Sequence, residues 1–221
     1  MNGSISTAST TVLIVDDHPA VREGLATRIS RQSDMRICGE AADIPEALKL
    51  LDEQHPRVAV VDIALRGGSG IDLIHRIRGR NDAVRILVWS MYPESLYAAR
   101  AIRAGANGYI TKENATASII DAIRTVRDGK VFLTDELAER MLHGSIAGTP
   151  EGGSLVAALS DRELEVFGLI GRGLKTGEIA DRLHLSVHTV ETHRQRIRTK
   201  LALRTGAELG RAAVQWVLET G

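Results

Sequence analysis

Apolar runs alternate with helical repeats over the first 130 residues, and only helical repeats follow from Leu159 onward. This pattern predicts a doubly wound α/β domain, built on a five-stranded parallel sheet, followed by a second, smaller all-α domain of four helices. Three observations carry the prediction. The runs TVLIV, VAVV and RILVW are rich in Val, Ile and Leu without alternation, as in strands buried on both faces. The segments between them repeat their apolar residues at helical spacing. A stretch dense in Gly, Ser and Pro, GSIAGTPEGGS, separates the two halves.

The strands are expected at Thr11–Val15, Met35–Gly39, Arg57–Asp62, Arg85–Ser90 and Asn107–Ile110. The intervening helices are expected at Ala20–Ser30, Ile44–Glu53, Gly70–Arg78, Glu94–Ala104 and Ala115–Asp128. Pro19 stands where a first helical turn tolerates it, and Gly105, Gly108 and Gly129 stand where helices stop or strands begin. FLTDELAERMLHG reads as one more short helix capped by Thr134, with Glu136 and Glu139 near its start. In the second half, Ser160 and Glu163 form a capping box ahead of LEVFGLI. EIADRLHL is a second helix, Ser186 caps a third, and Ala207–Leu218 forms the fourth. The expected domain limits are 11–130, a linker helix and flexible linker over 131–154, and 155–221.

Composition narrows the class. An apolar share of 43% is that of a folded soluble chain. Its longest apolar runs fall far short of the ~18–20 residues of a membrane span. The start, MNGSISTAST, lacks the charged and apolar regions of an export signal and reads as a disordered lead. A lone Cys38 in an apolar stretch is expected to be a buried structural thiol in a reducing cytoplasm. The 28 basic and 28 acidic residues balance, so net charge does not advertise nucleic-acid binding. The distribution does: Arg194, Arg196, Arg198, Lys200 and Arg204 face Glu191 alone between Ser186 and Arg204.

The polar residues that end the apolar runs carry the chemistry. Asp16 and Asp17 follow TVLIV, Asp62 follows VAVV, Ser90 ends RILVWS and Lys112 follows GYIT. Strand carboxyl ends of an open parallel sheet converge on one crevice. Crowded carboxylates repel unless a cation neutralises them, and Mg²⁺ favours a few carboxylates with water and phosphate oxygens. The set therefore predicts a phosphate-handling site, with Asp62 as its best nucleophile.

These residues also carry a resemblance. IVDDHPAVREGL, VVDIALRGGSGIDLI, WS and AGANGYITK are similar, over roughly residues 11–130, to the CheY-like receiver domain of two-component response regulators. LSDRELEVFGLIGRGLKTGEIADRLHLSVHTVETHRQRIRTKL resembles a LuxR-type helix-turn-helix. A receiver followed by that module is the layout of the NarL/FixJ family. The resemblance implies that Asp62 accepts phosphate from a sensor histidine kinase. It implies Mg²⁺ held by Asp17, Asp62 and the Ala64 carbonyl, with Asp16 acting through water. Lys112 would meet a phosphoryl oxygen, Ser90 would swing toward another, and Tyr109 would be the aromatic that moves inward behind it. Small Ala64 and bulky Tyr92 predict a long-lived phosphoprotein. The stretch LRGGSG has Arg66 where the family usually has proline, and Gly67, Gly68 and Gly70 predict a looser turn.

In the third helix of the second half, Val190, Ile197 and Leu201 are spaced to face the core. The opposite face holds His188, Glu191, Thr192 and Gln195, flanked by Arg194, Arg196, Arg198 and Lys200. Those residues are the expected DNA contacts. Many relatives carry lysine where this chain has Glu191, and Lys175, Thr176 and Gly177 replace a more familiar asparagine-lysine pairing. The expected protein is a cytoplasmic transcription regulator that forms a homodimer when phosphorylated and binds double-stranded promoter DNA. RNA polymerase is a further candidate partner, and no membrane is expected. Two rival readings are an aspartyl-phosphate phosphatase, which Ala64 disfavours for want of a second acid, and a DNA binder indifferent to phosphorylation.

Overall fold

A computed structural model describes residues 9–66, 68–80, 83–113, 115–135, 137–139 and 155–220. The chain divides into two compact units between Leu133 and Thr134. In the first unit the strands are β1 (Thr10–Val15), β2 (Met35–Ala41), β3 (Val58–Val61), β6 (Arg85–Ser90) and β7 (Gly108–Thr111). All pair in parallel, in the order β2-β1-β3-β6-β7. Strand order reverses between β1 and β3, which opens a crevice at their carboxyl ends. The helices are α1 (Pro19–Ser30), α2 (Ile44–Gln54), α3 (Gly70–Arg78), α4 (Glu94–Ala104) and α5 (Ala115–Arg127).

Both faces of the sheet are buried. Val12, Ile14, Val58, Val60 and Leu87 pack with Leu25 and Ile29 of α1 and with Ile119, Ile123 and Val126 of α5. Leu13 faces the other way, toward Leu50 of α2; both crowd Gly39, where a Cβ would meet their methyls at 3.1–3.3 Å. The β1–β2 register slips between Val12 and Leu13, so Cys38 has no partner in the ladder. Cys38 lies half-buried rather than buried as expected, like its neighbours Ile37 and Gly39. Burial raises its thiol pKa.

Two features were not in the sequence pattern. A two-residue hairpin, β4 (Ala64–Leu65) and β5 (Gly68–Ser69), follows β3, and Arg66 forms a bridge with Asp43. The turn expected to be loose is thus held by backbone pairing. Its glycines serve close approach instead: a Cβ on Gly70 would fall 2.0 Å from the Asp62 carbonyl oxygen, and one on Gly68 2.5 Å from the Ile44 side chain. Gly67 itself lies outside the described residues.

The second feature is an ionic knot. Arg124 donates to Asp34 through Nε at 3.1 Å and Nη2 at 3.0 Å, and Arg127 donates from Nη1 at 2.9 Å. These hydrogen bonds, Arg124 foremost, hold the Asp34 pKa at about 2. A carboxylate with a depressed folded pKa stabilises the fold fully above its unfolded pKa of 3.8, and the contribution fades as pH falls toward about 2. Asp34→Asn is therefore expected to lower the urea midpoint at pH 6, with the gap to wild type closing between about pH 4 and 2. A gap that persists unchanged at pH 2 would mean that Asp34 acts through packing rather than charge.

From Leu155 onward the described residues of the second unit form a 3₁₀ turn (Leu155–Ala158) and four helices: α6 (Asp161–Gly171), α7 (Thr176–Arg182), α8 (Val187–Lys200) and α9 (Gly206–Thr220). The expected capping box at Ser160 and Glu163 is present. Phe167 of α6 packs on Trp216 of α9 with ring centroids 5.5 Å apart. Gly171 permits this approach, since a Cβ there would lie 2.4 Å from the Ala213 carbonyl oxygen. Val190 and Ile197 of α8 are fully buried, whereas Leu201, just past the helix, is only half-buried. The turn from α7 to α8 passes through His184 in a left-handed conformation.

Thr134 caps the expected linker helix by accepting from Leu137 N–H at 3.4 Å, and residues 135 and 137–139 are helical. Glu136, the rest of that helix, the Gly/Ser/Pro stretch and the N-terminal lead lie outside the described residues. Among the described residues no helix is long and apolar enough to cross a membrane.

Candidate functional site

The sheet register assembles the acidic crevice. Asp62 lies one residue past β3, and its N–H still donates to the Val15 carbonyl at 2.9 Å, which sets it beside Asp16 and Asp17 at the end of β1. Lys112 follows β7 and is tied to β6 by its N–H donating to the Ser90 carbonyl at 2.8 Å. Asp16, Asp17, Asp62, Ser90 and Tyr109 are all buried. The Lys112 ammonium donates to Asp16 Oδ2 and to Asp62 Oδ2, both at 2.6 Å. One cation thus joins two carboxylates, and a third, Asp17, stands beside them.

Burial raises the Asp62 pKa, the Lys112 ammonium works against that rise, and the neighbouring Asp16 charge adds to it. For Lys112, burial disfavours the ammonium, but the two carboxylates outweigh it and raise its pKa. Its pairing contribution is therefore present at neutral pH and lost only in strong alkali. Lys112 also stands 5.4 Å from the centre of the Trp89 ring, within cation–π range.

Ser90 lies between Asp62 and Tyr109, and its hydroxyl interacts with both. The Tyr109 hydroxyl donates to the Tyr92 carbonyl at 2.8 Å, so the ring is turned inward. Burial, then the Asp62 charge, pushes the Tyr109 pKa well up. Tyr92, expected to screen the site from water, stacks on Tyr97 of α4 with centroids 4.7 Å apart. Ala64 opens the small hairpin, and its N–H points toward Asp62 Oδ1 at 3.4 Å.

Asp16, Asp17, His18 and Asp62 each offer a ligand atom, and all four atoms lie within 4.8 Å of one another. His18, absent from the expected set, brings Nδ1 to 2.6 Å from Asp17 Oδ1. Adjacency to the acidic pair was its only signal in sequence. Both oxygens of Asp16 are engaged, Oδ1 by the His18 N–H at 2.9 Å and Oδ2 by Lys112. The donor set is hard, oxygen-rich and short of positive charge, which suits a divalent cation.

The second candidate surface is the exposed side of α8. His188, Glu191, Gln195 and Arg196 are exposed; Thr192, Arg194 and Arg198 are half-exposed. Several of them already have protein partners. The Thr192 hydroxyl donates to its own helix at the His188 carbonyl, 3.0 Å away, and Arg198 is hydrogen-bonded to Gln195. Lys200, grouped by sequence with the phosphate contacts, instead donates to Glu163 Oε2 at 2.6 Å. That carboxylate is buried and belongs to the α6 capping box, so Lys200 ties α8 to α6. Burial tends to raise the Glu163 pKa, but the hydrogen bonds from Lys200 and Ser160 outweigh it and lower the pKa. Sequence spacing could not separate Lys200 from its arginine neighbours, because its partner lies 37 residues away.

Each half of the chain matches a known family. Residues 12–124 match the response regulator receiver domain, and residues 157–213 match the bacterial regulatory proteins of the luxR family. The chain is 35% identical over 203 residues to the oxygen regulatory protein NreC of Staphylococcus aureus (strain MRSA252), covering 90% of this chain and 94% of NreC. A two-component response regulator of the LuxR family from Aurantimonas sp. SI85-9A1 aligns with a TM-score of 0.58 and 34% identity, covering 63% of this chain and 99% of that one. RcsB of Salmonella enterica serovar Typhimurium, solved on promoter P1flhDC with the phosphomimetic BeF3⁻, aligns with a TM-score of 0.56 and 25% identity over 93% of this chain and 99% of its own. With a receiver-type acidic crevice in one unit and a LuxR-type helical module in the other, the chain belongs to the two-component response regulators that control transcription.

Proposed function

We propose that Asp62 is the phosphoacceptor of this response regulator and that its phosphorylation by a sensor histidine kinase promotes homodimeric binding of promoter DNA through α8. The observation that carries this is the buried Lys112 ammonium shared between Asp62 and Asp16 at 2.6 Å. It holds a nucleophilic carboxylate and a compact positive charge in one crevice, as phosphoryl transfer requires. Asp17, Asp62 and the Ala64 carbonyl would hold Mg²⁺, with Asp16, already engaged on both oxygens, acting through water. Mg²⁺ when bound supplies positive charge to the phosphoryl oxygens.

Asp62 attacks phosphorus and the kinase histidine leaves. Lys112 then exchanges one carboxylate oxygen for a phosphoryl oxygen. Ser90 turns its hydroxyl toward another, with inward Tyr109 filling the space behind it. The chain is a phosphoacceptor rather than a turnover enzyme. We take the domain limits as 11–130, 131–154 and 155–221, and the location as the cytoplasm, where promoter DNA and RNA polymerase are met.

In α8, His188, Glu191, Thr192 and Gln195 form the base-facing side, and Arg194, Arg196 and Arg198 serve phosphates. Arg196 is exposed, and no hydrogen bond or ion pair holds it among the described residues. Arg196→Ala is expected to weaken binding to every sequence and to reduce the salt slope by about one unit. Lys200→Ala should leave the slope unchanged and lower the stability of the second unit instead. A salt series of affinities on matched and scrambled sites checks both, and equal slope losses would return Lys200 to the phosphate contacts.

Selection of bound DNA from a random pool, with and without beryllofluoride, tests the function as a whole. Paired half-sites are expected to be enriched, more strongly with beryllofluoride. Enrichment that ignores beryllofluoride in both wild type and Asp62→Asn would favour a binder indifferent to phosphorylation.

A further inference from the structure

α7 and α8 are joined by a side-chain bridge that is accessible to solvent. Thr176, the first residue of α7, donates from Oγ1 to Glu191 Oε1 on the second turn of α8 at 2.8 Å. The Nε of Arg194, one turn further along, lies 3.4 Å from the same oxygen. A hydrogen bond from α7 and an ion pair from α8 itself thus converge on Oε1. Among the described residues no donor is aimed at Oε2. The Glu191 side chain is 56% exposed and the Arg194 side chain 22%. Both bridged positions depart from the pattern that this module otherwise resembles, Thr176 in the KTG stretch and Glu191 after the TV pair.

A glutamate on a DNA-facing helix has two handicaps. Its charge repels phosphates, and its flexible side chain must be ordered before it can read a base. The bridge reduces both. Arg194 offsets the charge, and Thr176 anchors one carboxylate oxygen so that the other is presented outward.

We propose that Thr176 is a positioning residue for DNA sequence recognition. It holds Glu191 so that Oε2 accepts a hydrogen bond from a base amino group in the major groove, the N4 of cytosine. The assignment rests on the reading of α8 as the DNA-contacting helix. Thr176 itself touches no base; the two residues act as one unit, and the specificity of the unit resides in their pairing.

The test measures the affinity of the full-length, beryllofluoride-treated protein for its selected site and for each single-base-pair change. Glu191→Ala should relax discrimination at one base pair per half-site, by roughly tenfold. Thr176→Val, which keeps the shape and removes the hydroxyl, should relax the same base pair and no other. Thr176→Ser should restore discrimination. The double variant should be no worse than Glu191→Ala alone, as expected of coupled residues. A Thr176→Val protein with wild-type discrimination, additive losses in the double variant, or failure of Thr176→Ser to rescue would overturn the proposal while leaving DNA binding intact. A wild-type protein that selects no sequence would overturn the reading of α8 and this proposal together.

Discussion

Asp62→Asn should abolish uptake of phosphate from a small acyl phosphate, while the wild type is labelled in a Mg²⁺-dependent manner. Asparagine is nearly isosteric, and its side-chain oxygen can still accept from Lys112, which holds Asp62 at 2.6 Å. The fold should therefore survive, and circular dichroism of the variant should match the wild type. What is lost is the anionic oxygen that attacks phosphorus. In the proposed assignment the other acids of the crevice serve the cation instead. Asp16 is engaged on both oxygens, and Asp17 lies against His18. Full labelling of the variant would put the acceptor elsewhere and remove Asp62 from its assigned role.

Lys112→Met should cause the largest loss of stability in the first unit, and Mg²⁺ should restore much of it. The ammonium is mostly buried and neutralises two buried carboxylates. Removing one partner of a buried ion pair typically costs about 3–5 kcal/mol, because the remaining charge is left uncompensated. Here two carboxylates would face each other across the vacated space, and a divalent cation is the natural replacement. Amide exchange in β1 and β3, read by mass spectrometry, localises the effect to the sheet that carries the acids. Exchange should accelerate sharply in Mg²⁺-free buffer and slow when Mg²⁺ is added. Acceleration that ignores Mg²⁺ would argue that the crevice does not take up the cation.

Most of the fold was legible from local pattern. Helix α3 at Gly70–Arg78, α4 at Glu94–Ala104 and strand β6 at Arg85–Ser90 fall where periodicity puts them. The causes are local: unbroken Val/Ile/Leu runs for strands buried on both faces, and caps such as Ser160 that act within one turn. The acids were legible for a related reason. A polar residue that ends an apolar run must sit at the carboxyl end of its strand, and a doubly wound sheet gathers those ends.

Features made by distant partners were not legible. The spacing that puts Lys200 beside three arginines says nothing of Glu163, and the Gly-rich stretch read as loose is a hairpin fitted against Ile44 and the Asp62 carbonyl. Thr176 and Glu191 each depart from the pattern of the module they resemble, but only the crossing of α7 and α8 makes them partners.

The sequence by itself determined the two-part architecture, the strands and helices, and which residue types stand at the carboxyl ends of the strands. These follow from periodicity and capping, which act over a few residues. Tertiary structure alone decided which charges pair. It gave Lys112 to Asp62 and Asp16, Asp34 to Arg124 and Arg127, Lys200 to Glu163, and Thr176 to Glu191. The reason is that an ion pair or hydrogen bond depends on a few ångströms of separation in space. That separation is set by sheet register and helix crossing, between residues up to 96 positions apart in the chain.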